Sequence, residues 1–391
     1  MKQRIDINAV LLAIYIWMFM VLRIVWSFNP NYSTLILGIL AFTIVIVSIL
    51  KSENFSNLRF YRGLALISII IFFLLLDILF RNNEVIFIRL YEFIIYGVIP
   101  IVLFSQIKNF KSFFQTYIII SIIIFLVYVA DPLNNYYFSD GYMVYGFQAM
   151  LPAFFGLHLG RKVFNFKFLL IFEIISIAMI IMFGNRMAGI AAIVFILIID
   201  IFYKKRTLLK SLKYFSFMII GAVLIINIKP IIEFITNYLA DKGYSSYSIN
   251  SMLYYLNGTI DNLSSGRDVL WNSAIELIKE SPIFGYGVGY FESVNNLYVH
   301  NFIFEILLSY GLLGLIFYLL LLVRAVYNIT KSEGYKKLFG LLLLCTAFPK
   351  LFTSIYIFIE PAFWMLLSLG LNTSLKKSKK GLIKEGEVHE K

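Results

Sequence analysis

At 391 residues, with 60% hydrophobic and 14% charged side chains, the chain is far more apolar than a soluble globular domain and reads as a polytopic membrane protein. Its formal charge of +12 would suit nucleic acid or anionic lipid, but the basic residues follow the loops between apolar runs, which argues for membrane topology and against a nucleic-acid partner. The lone Cys345 excludes a disulfide framework and any cysteine-based metal site.

Apolar runs of about 18 to 22 residues are long enough to cross the hydrocarbon layer, roughly 30 Å thick, as helices. Twelve are predicted, at residues 8–27, 32–50, 62–80, 85–104, 113–130, 142–160, 167–183, 187–203, 211–228, 298–323, 337–355 and 358–375. The first ends near Arg23 without a small-residue cleavage site and is read as a retained span. Pro349, Lys350, Glu360 and Pro361 interrupt the last two. The expected fold is therefore an all-α bundle. Residues 1–228 hold spans one to nine, 229–297 form an extracytoplasmic loop with short helices, 298–375 hold the last three spans, and 376–391 form a basic cytoplasmic tail. With the N-terminus inside, most of the 34 Lys and Arg residues fall on inside segments, so the positive-inside rule places both termini in the cytoplasm. The lysine-rich tail then reads as a solvated anchor beside anionic lipid.

A loop of this length is unusual in a compact membrane protein and is a natural place for function. Within it, residues 230–239 read as a short surface helix. Ser264 or Ser265 would cap a second helix running to Glu280, with Leu270, Ala274, Leu277 and Ile278 on its apolar face. Pro282, Gly285, Gly287 and Gly289 then end that helix and return the chain to the membrane.

Arg267 lies near the start of the second loop helix, where the dipole disfavours a cation and favours an anion. It is either half of a forked phosphate site or the partner of Asp268, Glu292 or a lipid phosphate. His300 stands beside Asn301 at the mouth of the tenth span, as a proton-transfer group or a satisfied interfacial histidine. Arg186, between Gly184 and Gly189 in a tight outer turn, is either a fixed surface cation or a snorkelling side chain. Arg89 and Glu92 can pair on one helix face, and Arg89 is near enough to the outer end to join an anion site. Asp77, Arg23, Glu173, Glu305 and Lys350 read mostly as structural pairs, His158 as structural, and His389 as part of the tail. The sequence has no P-loop, no HExxH, no Cys/His metal spacing and no GxSxG elbow.

Arg186, Gly266, Arg267, Trp271, Pro282, Phe284, Gly285, Gly287, His300, Asn301 and the run Gly311, Leu312, Leu313, Gly314 together resemble the O-antigen ligase/polymerase superfamily of the Wzy and WaaL type. Glu305 departs from the neutral residue that the resemblance implies. The resemblance implies a GT-C-like, inverting glycosyltransferase without metal or other cofactor. Its donor would be an undecaprenyl-diphosphate-linked glycan at the outer face of the bacterial cytoplasmic membrane. His300, Arg267 and Arg186 would be catalytic, and Arg89, Asn301, Trp271, Gly285 and Gly287 would bind substrate. The leading expectation is a polymerase of oligosaccharide repeat units for capsule or O-antigen, working with membrane lipid, a chain-length regulator and a flippase. The alternatives are a ligase that moves finished glycan to another acceptor and, from a different class, a transporter or lipid-linked oligosaccharide flippase. The last would need charges lining a mid-membrane path and internal repeats, neither of which the sequence offers.

Overall fold

The structure, a computed structural model, describes residues 5–26, 33–51, 57–81, 84–130, 142–202, 228–243, 245–259 and 266–371. The predicted span 211–228, the cap at Ser264 or Ser265, the tail 376–391 and the side chain of Arg23 lie outside the described residues. Among the described residues there is no β-strand. The helices are α1 (Ile7–Trp26), α2 (Ser33–Lys51), α3 (Leu58–Arg81), α4 (Val85–Ser105), α5 (Phe110–Ala130), α6 (144–163), α7 (Leu169–Phe183) and α8 (Arg186–Phe202). Then come the shorter α9 (Ile228–Asp241), α10 (Tyr247–Leu256), α11 (Arg267–Glu280) and α12 (Tyr290–Asn295), followed by α13 (Phe302–Lys331), α14 (Gly334–Leu351) and α15 (Pro361–Leu371).

Of these, α3, α4, α5 and α13 are long and apolar enough to cross a membrane, and shorter apolar helices lie at Ile7–Val21, Gly38–Lys51, Leu169–Phe183 and Pro361–Leu371. Together they make a membrane-embedded helical protein. In the core, α5 packs on α1 and α6, α6 on α7, and α13 along α15, which also packs against α14. The buried interior is rich in aromatic residues. Phe93 meets Trp364 edge-on at 4.7 Å, and Phe104 stacks on Phe339 at 5.5 Å. Such pairs add about 0.5–1.5 kcal/mol each beyond the area they bury.

Two spans depart from regular α-helix. A π-helical turn occupies Phe93–Val98 in α4 and another occupies Val144–Met150 in α6, each ending just before a proline, Pro100 and Pro152. Proline has no N–H and crowds the carbonyl four residues earlier, so the backbone widens there. Side-chain donors reach a carbonyl at each irregular stretch. Tyr15 Oη donates to Ile95 at 2.6 Å and Tyr117 Oη to Pro152 at 3.1 Å.

The third irregularity is in α13, where Gly311 takes φ 62° and ψ −161° and interrupts the helix. An interrupted helix leaves carbonyls on one side and N–H groups on the other without partners. The glycine-rich turn after α11 supplies them. Tyr286 and Gly287 N–H donate to the Leu308 and Ser309 carbonyls at 2.6 and 2.9 Å, and Leu312 N–H donates to the Pro282 carbonyl at 2.8 Å. Backbone approach is so close that a Cβ on Gly311 would lie 2.1 Å from the Ile283 oxygen, and one on Gly285 would lie 2.6 Å from the Leu308 oxygen.

Most charges in the spans are paired. Asp77 accepts the Val288 N–H at 3.0 Å and lies 3.4 Å from Arg81, which ties α3 to the same glycine-rich turn. At the opposite end of the bundle, Glu173 receives Arg161 at 2.5 Å and His158 at 3.1 Å, and Lys162 meets Asp200 at 3.1 Å. Lys350 and Glu360, which break the pattern of the last two predicted spans, pair at 3.1 Å across the reversal between α14 and α15. The buried Glu305, the departure from the resemblance, accepts the Ile357 N–H at 3.3 Å and so anchors that reversal to α13.

Gly311→Ala adds a left-handed-backbone cost of about 1–3 kcal/mol to a backbone clash. It should lower the thermal midpoint clearly, whereas Gly38→Ala, with nothing within 4 Å of the new Cβ, should leave it unchanged or slightly raised; differential scanning fluorimetry in detergent reads both.

Candidate functional site

Three described helices begin around one small cleft. In α8, Asn185 caps the first turn by accepting the Ala188 N–H at 2.7 Å, and Arg186 is the first helical residue. In α10, Ser246 accepts the Ile249 N–H at 3.2 Å, with Tyr247 and Ser248 following. In α11, Gly266 adopts φ 81° and places Arg267 first, with no side chain capping the turn. Tyr142, Asn185, Arg186, Tyr247, Ser248, Ser251, Arg267, Thr353 and Ser354 line the cleft, whose volume is about 50 Å³. Each helix start carries a partial positive charge and unbonded N–H groups, so the cleft combines two guanidiniums with several oriented dipoles. Both arginines are half-buried, where water screens them less than on an open surface.

His300 adjoins this cleft through Arg267 and Ser354. Its backbone is left-handed, φ 55°, and its ring lies against Tyr298 with centroids 4.0 Å apart. Burial first, and the Arg267 cation second, pull the imidazole down to about 4, against a weaker opposing pull from the Ser354 carbonyl. The ring is therefore neutral at physiological pH, and its Nδ1 is buried without a hydrogen-bond partner. A neutral imidazole with an unused nitrogen beside the Arg267 cation has the state a general base requires. Tyr298 Oη donates to the Ser354 carbonyl, which holds the ring under His300 on the segment that lines the cleft.

The other residues expected at the substrate have structural partners. Trp271 Nε1 donates to the Val299 carbonyl at 3.0 Å and its ring meets Phe304 edge-on, so it fixes the chain just before His300. Asn301 caps α13, its Oδ1 accepting from Ile303 and Phe304. Gly285 and Gly287 allow the close backbone approach at the break in α13 and beside Arg81.

Arg89 stands apart from the cleft. Its guanidinium donates to Glu292 at 3.1 and 2.5 Å and to Glu92 at 2.5 Å, and it lies 3.7 Å from the centre of the Tyr356 ring. The expected Arg89–Glu92 pair is present, while Glu292, one of the partners considered for Arg267, is bound to Arg89 instead. Sequence reasoning also passed over Tyr298, Ser354 and α10. Ser246 is an N-cap residue type, but Ile249 stands where the Glu or Gln of a capping box would have strengthened the signal for α10. Tyr298 and Ser354 gave no local signal, because they meet only in three dimensions. Among the described residues no group of three His, Cys, Asp or Glu side chains could hold a metal ion.

Residues 171–319 match the family model described as O-antigen ligase. That stretch is similar to the O-antigen ligase family and covers less than half of the chain. The match runs from α7 into α13 and so contains Arg186, Arg267 and His300, and it supports the resemblance to the O-antigen ligase/polymerase superfamily. It points to glycosyltransferase-like action on lipid-linked glycans in the membrane. No curated protein matches the chain.

Because burial is the larger cause and the Arg267 cation the second, Arg267→Ala should raise the His300 titration only part of the way from about 4 toward the ordinary histidine value of about 6.5, while Arg267→Lys should leave it nearly in place. NMR titration of the labelled histidine side chains measures this directly.

Proposed function

We propose that the cleft binds the diphosphate of an undecaprenyl-diphosphate-linked oligosaccharide at the outer face of the bacterial cytoplasmic membrane, and that the protein joins such repeat units into a surface polysaccharide. The observation that carries this reading is the meeting of Arg186 and Arg267, each the first residue of its helix, at one cleft beside a neutral His300. A diphosphate leaving group needs positive charge where its negative charge develops, and fixed guanidiniums with oriented helix N–H groups can supply it. The imidazole takes the proton of the acceptor hydroxyl as its oxygen attacks the anomeric carbon. The bond from that carbon to the diphosphate breaks, and the lipid diphosphate departs with the electron pair. One in-line displacement inverts the anomeric configuration. The positive-inside distribution supports an arrangement in which both termini are cytoplasmic and the cleft faces outward.

The second reading keeps the chemistry and changes the acceptor: a ligase that transfers finished glycan to lipid A core, protein or another wall acceptor. It is favoured by the description of the matching family, O-antigen ligase.

Purified protein given lipid-linked repeat units should yield longer glycans with EDTA present; a strict requirement for a divalent ion would overturn the proposal that these residues alone neutralise the leaving group. His300→Gln should lower turnover by about 10²–10⁴-fold, and Arg186→Ala or Arg267→Ala by about 10²–10³-fold. Deleting the gene separates the two acceptors, since loss of a polymerase leaves single repeat units and loss of a ligase leaves full-length chains on the lipid carrier.

A further inference from the structure

The glycine-rich turn after α11 belongs by sequence to the long loop, yet its hydrogen bonds set it at the level of two membrane spans. Leu312 N–H donates to the Pro282 carbonyl at 2.8 Å and Leu313 N–H to the Ile283 carbonyl at 3.4 Å, so the start of the turn lies beside the break in α13. Asp77 of α3 accepts the Val288 N–H at 3.0 Å and fixes the end of the turn. Each span carries a cation toward its opposite end, Arg324 on α13 and Arg62 on α3, which marks where the hydrocarbon begins there. At about 1.5 Å per helical residue, Gly311 stands about 20 Å from Arg324 and Asp77 about 22 Å from Arg62. The hydrocarbon layer is roughly 30 Å thick, so two separate rulers put the turn about 8–10 Å inside its far boundary. Tilt of either helix only lowers the turn further. The count holds whichever side of the membrane is cytoplasmic.

The side chains agree with that depth. Pro282, Ile283 and Phe284 are consecutive, apolar and exposed, Ile283 at 52% and Phe284 at 69%, whereas Gly285, Gly287 and Val288 are buried against the spans. The exposed face continues onto Leu312 and Leu313, which belong to a membrane span and are themselves exposed. Non-helical backbone is tolerated at membrane depth only where protein satisfies its polar groups. The turn meets that condition through the Pro282 and Ile283 carbonyls and the Tyr286 and Gly287 N–H groups, all bonded to α13. Charge resumes just before the tip, on the last turns of α11, where Glu276 pairs with Lys279 at 2.8 Å and Glu280 accepts from the Tyr286 hydroxyl at 2.8 Å. These groups belong at head-group level, which keeps the insertion shallow.

We propose that residues 282–284 are a membrane-seated tip whose side chains lie among the acyl chains of the bilayer, so that the segment carrying Arg267 and His300 is anchored in lipid as well as in protein. Because α11 is only about 20 Å long, Arg267 at its other end stands no farther than that from the tip. The arginine cleft is thereby kept close to the lipid head groups. The inference stands independently of the glycosyl-transfer reading.

The test uses the full chain in lipid nanodiscs, with Cys345→Ser removing the single native thiol. A nitroxide is attached at Phe284→Cys and, for reference, at Leu320→Cys on the exposed face of α13 and at Asn272→Cys on the exposed face of α11. Dissolved oxygen concentrates in hydrocarbon, and a water-soluble nickel chelate is excluded from it. The label at residue 284 should match the one at residue 320, relaxed by oxygen and not by nickel, while the label at residue 272 shows the reverse. Nickel access at residue 284 equal to that at residue 272 places the tip in water and overturns the proposal. Exclusion of both reagents means that a protein surface covers the tip and overturns it equally. The unmodified chain gives a second measurement that needs no variant. A phosphatidylcholine with a diazirine on its acyl chain should, on illumination, leave adducts on the peptide that contains Phe284. Adducts on α13 with none on that peptide contradict the assignment.

Discussion

One guanidinium joins the membrane bundle to the segment that carries the candidate chemistry. Arg89, on α4, is held by Glu92 on its own helix and by Glu292, 203 residues later, with the Tyr356 ring against its face. Each group alone would be costly to bury, since an unpaired charge at membrane depth costs several kcal/mol. Together they satisfy one another and fix α12 against α4. Removing Arg89 would leave two carboxylates side by side, so its loss costs more than its own bonds.

A second tie complements the first. The glycine-rich turn supplies hydrogen bonds to the interrupted middle of α13, and Asp77 receives the next backbone N–H of the same turn. The segment from α11 to His300 is therefore held by side-chain charge at one point and by backbone hydrogen bonds at another. This explains how a left-handed histidine can be kept in place, because strain of about 1–3 kcal/mol persists only where the surroundings over-determine it. It also explains why Trp271 and Asn301 spend their polar atoms on the backbone around His300.

Much of this was legible in the sequence. The apolar runs located the long helices, and the loop helices at 230–239 and up to Glu280 correspond to α9 and α11. Arg186, Arg267 and His300 stood out because each has a residue type and a position that membrane scaffold does not require. What could not be read were relations between distant segments. Nothing local to Glu292 says that it binds Arg89 rather than Arg267. Leu313 and Gly314 continue the apolar pattern, so the break at Gly311 is hidden until the turn that fills it is seen. Lys350 and Glu360 looked like interruptions of two spans and are in fact the pair that lets the chain reverse between them. The π-helical turns escaped notice because a span that is apolar on nearly every side has little periodicity for an inserted residue to shift; Pro100 and Pro152 were their visible marks.

The backbone of His300 bears on how its side chain can be studied. At φ 55° an alanine would inherit the torsional strain of the histidine while losing the ring that packs on Tyr298, so an inactive alanine enzyme would confound misfolding with missing chemistry. Glycine relaxes that torsion and vacates a space shaped for an imidazole next to Tyr298 and Arg267. Free imidazole diffusing into that vacancy would then separate the two contributions, because the glycine variant keeps the peptide geometry and lacks only the ring.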